Sequence, residues 1–128
     1  MRVLNFTQHP ATPEQLDAGV VEPESSDKEK IQKALTFTQL PSTSELRMRA
    51  TVCALLAKDL LVQYDCDAVL IGGAPYFMTH LENALRNFRV RFCYAFSQRV
   101  AKDRIQPDGS MKKVQIFRHA GFIWGDEA

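Results

Sequence analysis

Apolar positions along this chain follow two periods, and the clearest signal lies near the middle. Ala68-Val69-Leu70-Ile71 is a short continuous apolar run rich in β-branched residues, the pattern of a buried parallel strand. Gly72 and Gly73 cut it, and Pro75 opens a helical pattern over 75–87 that places Phe77, Leu81, Ala84, Leu85 and Phe88 on one side. Earlier in the chain, 3–7 reads as a first strand. Thr12-Pro13-Glu14-Gln15 then forms a compact helix start, with Thr12 as cap, Pro13 at the first helical position and Gln15 completing a capping box, and Gly19 ends this helix. Val20 and Val21 add a brief extended piece before a polar connection at 22–25.

Ser26-Asp27-Lys28-Glu29 reads as a second capping box, opening a helix to residue 35. The alternating, proline-ended stretch 36–41 reads as a loop or edge segment. Ser42-Thr43-Ser44-Glu45 starts the longest helix, to residue 64, with Leu46, Arg49/Ala50, Cys53, Leu56/Ala57 and Leu60/Leu61 recurring at helical spacing along a broad apolar face. A third strand is expected over 89–96, ending at Ser97-Gln98-Arg99. Beyond it, 102–106 and 112–123 flank the turn Pro107-Asp108-Gly109-Ser110, which predicts a hairpin returning through 114–117. The tail from Gly125 is expected to fray. The sum is an α/β, Rossmann-like three-layer fold, a short parallel sheet with a C-terminal antiparallel hairpin, in one domain over 1–128.

Composition narrows the function classes. A net charge of +1 gives no global electrostatic case for membrane or duplex nucleic-acid binding. No apolar run approaches the roughly 18 residues of a membrane span, and 1–6 lacks the features of a signal peptide, so the chain reads as cytoplasmic. Cys53, Cys66 and Cys93 are widely spaced among apolar residues and read as buried thiols of a reducing compartment. His9, His80 and His119 show no metal-ligand spacing, and neither a Walker loop nor a GxGxxG fingerprint is present, so no metal and no cofactor is expected.

Candidate chemistry gathers at the expected strand ends. Three adjacent parallel strands would bring together Thr7-Gln8-His9, Gly72-Gly73-Ala74 and Ser97-Gln98-Arg99. Ala74, the expected N-cap of the 75–87 helix, has no side-chain oxygen for the first N–H groups, whereas the other three helices each begin with a capping residue. A phosphate there would take amides of the turn up to Tyr76, hydroxyls from Thr7 or Ser97, and the Arg99 guanidinium. Arg118-His119 forms a second cluster, able to bind phosphate or donate a proton, or simply a buried histidine beside a solvated arginine. Basic residues gather late in the chain and acidic ones dominate its first third.

Five segments carry a resemblance across nearly the whole chain. They are Leu4-Asn5-Phe6-Thr7-Gln8-His9, Ala11-Thr12-Pro13-Glu14-Gln15, Ile71-Gly72-Gly73-Ala74-Pro75, Tyr94-Ala95-Phe96-Ser97-Gln98-Arg99 and Phe117-Arg118-His119-Ala120-Gly121-Phe122. Together they resemble a family of small uncharacterised bacterial proteins associated with mobile elements. More distantly, the order of features is similar to small CRISPR-associated Rossmann-like accessory proteins of the ring-nuclease type. That likeness implies a homodimer binding cyclic oligoadenylate or another phosphodiester, cleaved without metal by attack of the ribose 2′-hydroxyl. It implies Ser97 and Arg99 on phosphate and His119 in proton transfer. The Gly72-Gly73-Ala74-Pro75 turn departs from that distant group. Two other classes stay open: a non-catalytic interaction or regulatory module of a mobile element or defence system, and a nucleoside- or glycosyl-handling enzyme using His9 or His119 as acid or base.

Overall fold

The computed structural model describes residues 1–125. The elements run β1 (Val3–Asn5), α1 (Pro13–Asp17), β2 (Val20–Val21), α2 (Ser25–Leu35), α3 (Thr43–Tyr64), β3 (Ala68–Leu70), α4 (Pro75–Asn87), β4 (Phe92–Ile105) and β5 (Met111–Trp124). They build a mixed α/β fold around one five-stranded sheet of order β2-β1-β3-β4-β5. The first four strands are parallel, and β5 returns antiparallel to β4. Val20 and Val21 therefore form a fourth parallel strand, pairing with Val3 and Leu4.

Strand order decides where the helices lie. From β1 the chain moves outward to β2, then reverses past β1 to β3 and on to β4. Parallel crossovers are right-handed almost without exception, so opposite directions of travel put their helices on opposite faces. The packing agrees. Leu4, Val69, Ile71 and Phe92 meet Ile31 of α2, Ala50, Cys53 and Ala57 of α3, and Phe77, Leu81 and Leu85 of α4 in the larger core. Val3, Val20, Leu70 and Cys93 point to the other face, where Ala11, Ala95, Phe122 and Trp124 close a smaller cluster. The three layers are thus lopsided, with only the five-residue α1 among the helices left for the second face.

Local chemistry explains most boundaries. Thr12 Oγ1 accepts from the Gln15 N–H while Gln15 Oε1 accepts from the Thr12 N–H, the expected capping box. Ser42 caps α3 by accepting from the Glu45 N–H at 3.2 Å. The expected box at Ser26 does not form. α2 begins at Ser25 behind an N-cap Glu24 with no side-chain cap bond. Asp27 is instead drawn into the contact with α3, where its carboxylate accepts from Tyr64 Oη and from Gln63 Nε2. The absent cap at Ala74 is therefore shared with α2.

The third strand also departs from expectation at both ends. Residues 89–91 precede it: the Val90 N–H donates to Leu85 O, and Arg89 takes φ +58°, closing the end of α4. At the far end, the polar Ser97-Gln98-Arg99 does not stop β4. The ladder continues through thirteen registered pairs to Ile105↔Met111, with a bulge between Phe96 and Ser97. A two-stranded ribbon wetted on both faces has no need of apolar alternation, so polarity there signals exposure and not a strand end. Gly125 does not fray, since its N–H donates to Phe92 O and its carbonyl accepts from Arg86; the rest of the expected frayed tail, 126–128, lies outside the described residues.

No helix among the described residues is long and apolar enough to cross a membrane. The core assignment makes a direct prediction. Leu81 is fully buried and Val62 is 83% exposed, so Leu81→Ala costs about 2–5 kcal/mol in urea denaturation while Val62→Ala stays within about 0.5 kcal/mol.

Candidate functional site

The reversal between β1 and β3 leaves a gap beyond their carboxyl ends, because the chain leaves those two strands in opposite directions. An open cavity of about 400 Å³ occupies it, lined by Thr7, Gln8 and His9 after β1, Thr12 and Gln15 of the α1 start, Gly72 and Gly73 after β3, and Tyr94 and Ala95 of β4. On the other side of the glycine turn lies a smaller recess of about 160 Å³, bounded by Gln8, Phe37, Ala74 and Tyr76 among others.

The wall contributed by 72–76 is backbone. Phe77 and Met78 donate their N–H groups to Ala74 O, and Pro75 has none to give. Among the described residues, nothing accepts from the N–H groups of Gly72, Gly73, Ala74 or Tyr76, and Ala74 supplies no cap bond. Four donors at the positive end of a thirteen-residue helix therefore stand beside open space. Gly73 has φ +155°, a region essentially reserved for glycine, and a Cβ there would sit 3.3 Å from Met78 Cε. Gly72 is different: a Cβ would meet only Thr7 Cγ2, at 3.9 Å.

The opposite wall is held by a polar network that strand reading did not anticipate. Asn5 ends β1 fully buried. Its Nδ2 donates to His9 O at 2.8 Å and to the Glu22 carboxylate, while its Oδ1 accepts from Thr7 Oγ1 at 2.7 Å. Lys28 Nζ also donates to His9 O, at 2.7 Å, and pairs with Glu22 at 3.1 Å. Glu22 further accepts from the Ala11 N–H. Burial works to raise the Glu22 pKa, but the bonds from Ala11, Asn5 and Lys28 outweigh it and leave the carboxyl below its ordinary value of 4.5. The signal available in the sequence was slight: one asparagine within an apolar strand, and a carboxylate in a connection that looked merely polar.

These bonds redefine several candidate residues. Thr7 is engaged with Asn5 and His9 O, and Gln8 Nε2 donates to Leu35 O and Thr36 Oγ1, so both side chains hold the loop in place. The exposed His9 side chain remains at the cavity wall. Gly72, Gly73, Ala74 and Tyr76 come together as expected around the two recesses. Ser97, Gln98, Arg99, Arg118 and His119 do not join them. Because β4 continues, they sit on the ribbon, with Ser97 opposite His119, Gln98 opposite Arg118 and Arg99 opposite Phe117, whose ring lies 5.4 Å beneath the Arg99 guanidinium. The His119 N–H donates to Glu14 Oε2 at 3.2 Å, its ring lies 4.9 Å from Phe122, and its Nδ1 is buried with no hydrogen-bond partner among the described residues. His80 lies on α4 beside Arg47 and Asn83, in a separate shallow pocket. Among the described residues no group of three His, Cys, Asp or Glu is placed to hold a metal ion.

Comparison with known proteins places the chain in a family. It belongs to the uncharacterized protein MJ1673 family, which it matches over residues 1–123. No curated protein and no solved structure matches it.

Two outcomes follow from this geometry. Gly73→Ala forces an alanine into a glycine-only conformation and lowers stability by about 1–3 kcal/mol, measurable by urea denaturation. The depressed Glu22 carboxyl contributes stability above pH 4.5 that is lost as the pH falls through its lower folded value. Amide chemical shifts of 7–9 and of Ala11 therefore change in an acid titration below pH 4.5, and Glu22→Gln flattens the response.

Proposed function

We propose that this member of the family binds a nucleotide or another small phosphodiester in the crevice between β1 and β3, its phosphate received by the amides of the 72–76 turn. The observation that carries the reading is a coincidence. The open cavity at the strand-order reversal and the smaller recess across the glycine turn adjoin, between them, four N–H groups for which the described residues supply no acceptor: Gly72 and Gly73 line the cavity, and Ala74 and Tyr76 line the recess. Backbone amides at a helix start suit an anion in both geometry and dipole, and ligands of open α/β sheets gather at such reversals. Tyr76, 54% exposed beside the turn and 6.2 Å from the Phe37 ring, offers an aromatic face on which a base can stack.

Binding is favoured over cleavage by how the crevice hydroxyls are occupied. Thr7 serves the loop, Thr12 caps α1, and Tyr94 donates to Glu82 at 2.7 Å. Ser97 and His119, to which the resemblance gives phosphate holding and proton transfer, face each other outside the cavity lining.

Gly72 provides the test, because it lines the cavity, its φ lies outside the left-handed region, and a Cβ there meets only Thr7 Cγ2, in ordinary contact at 3.9 Å. Isothermal titration of the full chain with adenosine monophosphate, cyclic dinucleotides and cyclic oligoadenylates is expected to show saturable binding to at least one. Gly72→Val weakens that binding at least tenfold, while its melting temperature stays within about 2 °C of the parent. Silence across the panel, or equal binding by Gly72→Val, retires the proposal.

A further inference from the structure

Among the described residues β4 pairs with β3 only at Phe92 and Cys93, and beyond the first residues of β4 its one sheet neighbour is β5. From Ser97↔His119 to Ile105↔Met111 the two strands form a ribbon of nine pairs, roughly 30 Å long, whose residues are all exposed or half-buried. A hairpin alone in water is marginally stable. This one also carries an uneven charge: between 97 and 119 lie six lysines and arginines and only two carboxylates.

Register sorts these charges by face, since directly paired residues share a side and alternate pairs lie on opposite sides. One face carries the pairs Gln98↔Arg118, Val100↔Ile116, Lys102↔Val114 and Arg104↔Lys112. Four of its eight side chains are cationic and none is acidic. Arg104 and Lys112 are directly opposed, an arrangement that destabilises a ladder unless an anion lies between them. Among the described residues none of the four cations has an ion-pair partner. The ribbon's acid in the ladder, Asp103, sits opposite Lys113 on the other face.

We propose that the Lys102–Arg104–Lys112–Arg118 face of the ribbon docks on the phosphate backbone of a nucleic-acid duplex. A two-stranded ribbon is of a size that the DNA major groove admits, and a duplex presents one negative charge for about every 1.7 Å of axis. The chain's net charge of +1 conceals this surface because the remainder of the sequence is acidic. Two other occupants fit less well. A second copy in face-to-face pairing would oppose cation to cation. An anionic membrane would need apolar side chains projecting among the cations, whereas Val100, Val114 and Ile116 are half-buried; the exposed Ile105, Met111 and Phe117 belong to the other face.

The probe is a fluorescein-labelled 24-base-pair DNA duplex of mixed sequence, read by fluorescence anisotropy against the full chain between 50 and 200 mM salt. Four phosphate contacts give a log–log salt slope of about −3.6, roughly a 150-fold loss of affinity over that range. Each of Lys102→Gln, Arg104→Gln, Lys112→Gln and Arg118→Gln reduces the slope by about one unit. Lys113→Gln, on the opposite face, changes it by less than half as much. The combined fourfold variant, folded by circular dichroism, loses detectable binding. No binding by the parent at 50 mM salt overturns the proposal, as does a slope unchanged in the single variants. So does loss of a dimer in sedimentation as the only effect of the fourfold variant, or binding confined to vesicles of 70:30 phosphatidylcholine and phosphatidylglycerol.

Discussion

The handedness of parallel crossovers is the constraint from which this architecture unfolds. Only two of the connections out of β1 and β2 need be considered. The first moves outward and carries α1; the second reverses past β1 and carries α2 and α3. A right-handed path in each case sends α1 to one face and the larger helices to the other. The same reversal separates the loops after β1 and β3, and the open cavity lies between them. Core asymmetry and crevice are therefore two consequences of one topological fact.

The two walls of that crevice are stabilised by opposite means. After β3 the wall is bare backbone, kept open by Gly73 in a conformation other residues avoid and by an Ala74 that cannot cap. After β1 the wall is tied by side chains: Asn5, Glu22 and Lys28 converge on the His9 carbonyl and the neighbouring amides. A buried asparagine is tolerable only when its hydrogen-bonding groups are satisfied, and here both its Nδ2 and its Oδ1 are. A loop held by side-chain bonds thus faces amides for which the described residues supply no acceptor. The burial that would otherwise favour a neutral Glu22 is overcome by the same bonds that hold the loop.

The ribbon formed by the outer parts of β4 and β5 stands apart from both layers. It contacts the body through α1, where Glu14 accepts from the His119 N–H. Beyond that point its residues are exposed or half-buried, and charge sorts by register in a way no linear reading of the sequence displays. Crevice and ribbon are thus separate surfaces, joined by the strand that runs from Tyr94 and Ala95 at the cavity to Ile105 at the tip.

Elements whose ends are chemically punctuated were legible from residues alone. Thr12-Pro13-Glu14-Gln15, Ser42 and the Gly72-Gly73-Ala74-Pro75 turn act through neighbours a few positions away, and the structure keeps each of them as read. The apolar run at 68–71 likewise placed the central strand, because burial on both faces demands continuous hydrophobicity. Ser26 failed as a cap because the helix starts before it, at Ser25, where Asp27 in the first turn is held by Tyr64, thirty-seven residues away. Ser97 to Arg99 failed as a strand end because pairing with a distant β5 carried the ladder onward, leaving Ser97 and His119 opposite one another. Short-range hydrogen bonding and periodicity were determined by the sequence itself. Which polar groups meet, which amides stay unpaired and which cations share a face were decided only by tertiary structure, since each depends on contacts between residues far apart in the chain.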